Sequence, residues 1–86
     1  MFDEITVHTK VGDFAFREMD GATYDECVSL STDETTGECD MVELLRWLVV
    51  KSSADGKVAD PASLHSLPYS VRNQILAEVN ELYFPA

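Results

Sequence analysis

Ile5-Thr6-Val7-His8-Thr9-Lys10-Val11-Gly12-Asp13-Phe14-Ala15-Phe16-Arg17 is the stretch that decides the fold. Ile5, Val7 and Thr9 alternate with Thr6 and His8, and Phe14 and Phe16 alternate with Ala15 and Arg17. A period of two marks a strand with one buried face. Lys10-Val11-Gly12-Asp13 lies between the runs, and Gly12 can take the positive φ that a tight connection needs. The pattern predicts a β-hairpin over residues 4–18. A lone two-stranded ribbon is not stable in water, so its apolar face must pack on helices.

The remaining sequence supplies them. Asp20 is a candidate cap for a helix over 21–31, with Tyr24, Cys27, Val28 and either Leu30 or Ser31 inward. Residues 31–38 hold no large apolar side chain and read as a mobile polar loop. Asp40-x-x-Glu43 is a capping-box pattern that opens a helix over 40–52. Met41, Leu44, Leu45, Leu48 and Val49 form its stripe, while Trp47 and Val50 point to other sides. Apolar residues around most of a helix require cover on several sides. We therefore expect part of this helix to be met by another chain. Ser52 to Lys57 reads as a turn with Gly56 in the tight position. Asp60-Pro61 starts a short helix over 60–67, closed by Pro68. A last helix over 69–83 carries Val71, Ile75, Val79 and Leu82 inward, flanked by Leu76 and Tyr83. The fold class is α+β: one hairpin packed on about four helices, in a single domain over 1–86.

Composition narrows the function. Sixteen acidic residues against six basic ones give a formal charge of −10. Binding to nucleic acid or an anionic membrane requires a basic footprint, which this chain lacks. The longest apolar-rich run, Met41 to Val50, contains Glu43 and Arg46 and is about half the length of a membrane span. The N-terminus is acidic where a secretory leader is basic. The expected location is the cytoplasm. Cys27 reads as a core residue and Cys39 as a loop residue before a cap. Both fit reduced thiols, although their spacing alone leaves a disulfide open.

Chemistry-bearing patterns are sparse. His8 and His65 each lack a second ligand at metal-binding spacing, so no metal site is expected. Neither cysteine has a local base to activate it. The pairs Asp3-Glu4, Asp25-Glu26 and Asp33-Glu34 are adjacent acids of solvated faces, whereas catalytic carboxylates oppose one another across a pocket. No calcium loop or phosphate-binding glycine loop is present, and no cofactor is implied. An acyl carrier protein would need an aspartate before its carrier serine, but Ala62 precedes Ser63-Leu64. The chain therefore reads as a non-enzymatic protein that binds other proteins. Trp47, Leu48, Tyr83 and Phe84 are the candidate partner contacts, since they exceed what one small core requires. An acidic inhibitor that imitates nucleic acid is the alternative. The spread of acids from Asp3 to Glu81 does not favour it.

The order of features resembles the tail assembly chaperones of long-tailed bacteriophages and prophages. A strand ending in Phe16-Arg17-Glu18-Met19 leads into a helix with Tyr24-Asp25-Glu26, followed by a polar loop. Next come the helix Leu44-Leu45-Arg46-Trp47-Leu48-Val49-Val50, the turn Asp55-Gly56-Lys57-Val58, a short helix, and a closing helix with Ile75, Glu78, Asn80 and Leu82. The chain departs from the family at Ser53-Ala54, where another acid is common, and at Val58-Ala59, where a bulky pair is common. The resemblance implies a factor in the bacterial host cell that coats the tape measure protein, recruits tail tube protein and self-associates. It also implies that this chain is the short form of two frameshift products.

Overall fold

A computed structural model describes residues 3–85 of the chain. Strands β1 (Glu4–Thr9) and β2 (Gly12–Arg17) precede helices α1 (Gly21–Leu30), α2 (Met41–Ser52), α3 (Pro61–His65) and α4 (Tyr69–Tyr83). The fold is the α+β arrangement that the alternation and helical stripes predict.

The strands pair antiparallel with Ile5 opposite Phe16 and Val7 opposite Phe14. All four apolar side chains thus share one face, and Val7, Phe14 and Phe16 are buried. The connection is shorter than the sequence implies. Gly12 and Asp13 join the ladder opposite Thr9 and His8, leaving Lys10-Val11 as the turn. Gly12 has φ +125°, a conformation that a β-carbon would strain. Thr9 Oγ1 accepts from Val11 N–H at 3.2 Å and donates to the Gly12 carbonyl at 2.6 Å.

The loop after α2 seals the outer edge of β2. Ala15 N–H donates to Asp55 Oδ2 at 2.9 Å, and Ala54 N–H donates to the Ala15 carbonyl at 2.9 Å. Lys57 Nζ reaches the Asp13 carbonyl at 2.5 Å and lies 5.5 Å from the centre of the Phe14 ring. Asp55-Gly56-Lys57 is therefore a clasp on the hairpin as well as a turn, with Gly56 at φ +76°. An unpaired edge is a template for association, and this one is covered.

α2 runs through the middle of the core. Leu44, Leu48, Val49 and Val50 are buried against Phe16, Leu64, Ile75 and Val79. Its side with Val50 is covered by this chain, whereas Met41, expected in the inner stripe, is exposed. Asp40 caps the helix by accepting from Val42 and Glu43 N–H at 2.9 and 3.3 Å. Only half of the expected capping box forms, because Glu43 Oε1 pairs with Arg46 at 2.5 Å.

Asp20 and Asp60 cap α1 and α3, each accepting at 2.8 Å from the N–H three residues on. The residues before α2 are more ordered than a polar loop requires. Thr32 bridges Cys39, Asp33 N–H donates to the Glu38 carbonyl at 2.8 Å, and Asp33 Oδ1 accepts from Thr35 N–H at 2.7 Å. Ser31 is the inward residue at the end of α1, and Leu30 is exposed. Ser31 Oγ donates to the Cys27 carbonyl at 2.8 Å, which satisfies its buried hydroxyl. Cys27 and Cys39 are both free thiols.

Candidate functional site

The open side of α2 lies at its first turn. Met41 and Val42 are 60% and 59% exposed, a high value for large apolar side chains next to a core. They border a groove of about 370 Å³ whose other walls are Leu44 and Leu45 of α2 and Leu76, Asn80 and Phe84 at the end of α4. Asn80 is the only polar residue among them. Leu44 is buried, Leu45 and Leu76 are half-buried, and Phe84 is 40% exposed. Phe84 sits at the C-cap of α4, where its N–H donates to the Asn80 carbonyl at 2.8 Å. Carboxylates flank the wall residues in sequence at Asp40, Glu43 and Glu81. The groove can accept a few apolar side chains of another polypeptide.

The four candidate contacts fall in three different environments. Phe84 belongs to the groove. Trp47 is half-buried on another part of α2, packed against the core, with Lys51 Nζ 6.0 Å from its ring centre. Tyr83 is also half-buried, and its hydroxyl accepts from Met19 N–H at 2.9 Å and is hydrogen-bonded to Ser52 Oγ. Leu48 must be withdrawn as a contact. It is 0% exposed, enclosed by the helices and β2, and has no surface to offer.

Sequence reasoning missed Met41, Val42, Leu45 and Leu76 as groove residues. Angular position gave no warning, because the equally adjacent Leu48, Val49 and Val50 of the same helix are all buried. What sets Met41 and Val42 apart is their place in its first turn.

A second recess of about 370 Å³ is polar, with Arg17, Asp20, Lys51 and Ser52 among its walls. Glu26 meets Lys51 at 3.3 Å. Among the described residues, no group of three or more His, Cys, Asp or Glu side chains converges to hold a metal ion. His8 is paired with Asp13 at 2.9 Å on the exposed face of the hairpin, and His65 is exposed on α3. Among the described residues, no helix is long and apolar enough to cross a membrane.

Burial pushes the Cys27 thiol above its ordinary pKa, with Lys51 opposing and Glu26 adding to the effect. Such a thiol is a poor nucleophile at neutral pH.

No protein-family model matches the chain, and no curated protein or solved structure is significantly similar to it.

Proposed function

We propose that this protein is a non-enzymatic assembly chaperone that holds an apolar helical segment of a client protein in the groove between α2 and α4. The observation that carries the reading is the exposure of Met41, Val42 and Phe84 around one apolar groove on a chain of charge −10. An apolar groove supplies affinity for the stripe of an amphipathic helix, while net negative charge keeps the loaded complex dispersed. The order of sequence features, which resembles phage tail assembly chaperones, names the clients: tape measure protein first, then tail tube protein. Both are met in the cytoplasm of the bacterial host.

The test is aggregation of a purified tape measure segment, followed by light scattering with and without this protein. Suppression by the wild type and its loss in Val42→Glu support the reading. No suppression, or equal suppression by Val42→Glu, overturns it. Suppression that collapses with moderate salt would favour an acidic mimic of nucleic acid instead.

A further inference from the structure

The hairpin's hydrogen bonding determines which backbone groups of β1 face outward. Ala15 N–H and C=O are both taken by the Asp55 loop, so they point away from β1. Thr6 stands opposite Ala15 in the ladder, which makes this a non-hydrogen-bonded pair. Thr6 N–H and C=O must therefore point away from β2, to the open side. By the alternation of an antiparallel ladder, the same holds for Glu4 and His8. The His8 carbonyl bears this out, accepting at 2.7 Å from Gln74 Nε2 of α4. Among the described residues, the sheet ends at β1, and no backbone group pairs with Thr6.

β1 carries few of the devices that blunt an edge, namely the charge of Glu4 and the Gln74 contact at the His8 carbonyl. Glu4–Thr9 contains no proline or lysine, and its register with β2 runs without a bulge. The contrast with β2, whose edge is closed by a loop, leaves one sided access to the sheet.

We propose that β1 is the contact between two copies of this chain, joined antiparallel about a two-fold axis at Thr6 into a four-stranded sheet. The strand is self-complementary in that register. Thr6 meets the partner's Thr6, Ile5 meets the partner's Val7, and Glu4 meets the partner's His8. On the exposed face the existing pairs are Arg17 with Glu4 at 3.1 Å and His8 with Asp13 at 2.9 Å. Joining two hairpins extends them into a row in which bases and acids alternate: Arg17, Glu4, then the partner's His8 and Asp13. Opposite-sign cross-strand neighbours stabilise a sheet, and like-sign ones destabilise it. On the inner face the half-buried Ile5 gains an apolar neighbour. A slip of two residues sets Ile5 against the partner's Thr9 in one direction and Val7 against the partner's Asp3 in the other. Each slip keeps one apolar pair, Val7 with the partner's Val7 or Ile5 with the partner's Ile5, and only the register centred on Thr6 gives both Ile5 and Val7 an apolar partner. Gln74 occupies one lone pair of the His8 carbonyl and leaves the second for the partner's Glu4 N–H.

This proposal is independent of the groove, and its test separates the two. Sedimentation equilibrium over a concentration series measures the dimer in the wild type, Thr6→Pro, His8→Glu, His8→Lys and Val42→Glu, with circular dichroism to confirm folding. Thr6→Pro removes an N–H that β2 does not use, so the hairpin ladder is kept. His8→Glu sets like charges against the partner's Glu4. The expected result is a dimer in the wild type, His8→Lys and Val42→Glu, weakened at least about tenfold in Thr6→Pro and His8→Glu. Should Thr6→Pro fail to fold, His8→Glu and concentration-dependent protection of the Thr6 amide against exchange decide. A wild type that stays monomeric overturns the proposal. So does a dimer indifferent to His8→Glu with an unprotected Thr6 amide, or one abolished by Val42→Glu alone.

Discussion

The Tyr83 hydroxyl accepts the backbone N–H of Met19 at 2.9 Å, tying the end of the last helix to the junction between hairpin and α1. The same oxygen is hydrogen-bonded to Ser52 Oγ at the end of α2. Three separate parts of the chain thus converge on one phenol. Tyr83→Phe leaves the Met19 N–H and the buried Ser52 hydroxyl without this partner while keeping the ring. The expected loss is about 1–2 kcal/mol, read as a lower denaturant midpoint with an unchanged slope.

The same phenol gives the fold an alkaline limit. Burial raises the Tyr83 pKa above its ordinary 10.0, and hydrogen bonds from Ser52 and Met19 oppose this without cancelling it. The folded state therefore holds the proton more tightly than the unfolded state does. The contribution to stability is complete below the unfolded value of 10.0 and is lost as pH rises through the higher folded value. Denaturation curves of wild type and Tyr83→Phe should differ fully below pH 10 and approach one another as pH rises above it, because the variant has no such proton to lose.

Asp55 sets an acid-side counterpart. Burial alone would raise its pKa, but N–H donation from Ala15 and Lys57 and the charge of Lys57 outweigh it, so the value falls below 3.8. A depressed carboxylate stabilises the fold above 3.8, and the contribution is lost as pH falls through the folded value. Asp55→Ala is expected to cost about 1 kcal/mol at neutral pH, a modest figure because the side chain is exposed. It should also speed hydrogen exchange at the Ala15 amide, which loses its acceptor.

The local features were legible in the sequence because their causes are local. Alternation over Ile5 to Arg17 fixes the buried face of the hairpin, and Asp20, Asp40 and Asp60 each cap within three residues of themselves. What eluded sequence reasoning depends on long separations. Nothing near Asp55 or Lys57 reveals that they clasp Ala15 and Asp13, some forty residues earlier. The Leu48 assignment failed for the same reason. A helix that is apolar on several sides has the same sequence whether its own chain or another covers it, and here α1, α4, α3 and β2 do the covering.

The two thiols should differ in reactivity. Cys27 is 0% exposed with a raised pKa, and Cys39 is half-buried. Titration of the native protein with a thiol-reactive disulfide should label Cys39 first and Cys27 only on unfolding, and mass spectrometry of the labelled peptides reads the order. Equal rates would show that α1 opens readily.

Leu48 and Val42 lie on the same helix and should fail in different ways. Leu48→Ala empties a fully enclosed site and is expected to cost about 2–5 kcal/mol, so any loss of client binding should track the unfolded fraction. Val42 is 59% exposed and borders the groove, so Val42→Glu should leave the thermal midpoint nearly unchanged while removing binding. Cooling separates the two. At a temperature where Leu48→Ala is fully folded by circular dichroism, its client binding should return to the wild-type level, and that of Val42→Glu should not. Failure of folded Leu48→Ala to bind would mean that the groove depends on the packing beneath it. Retained binding by Val42→Glu would place the client on another face of the molecule.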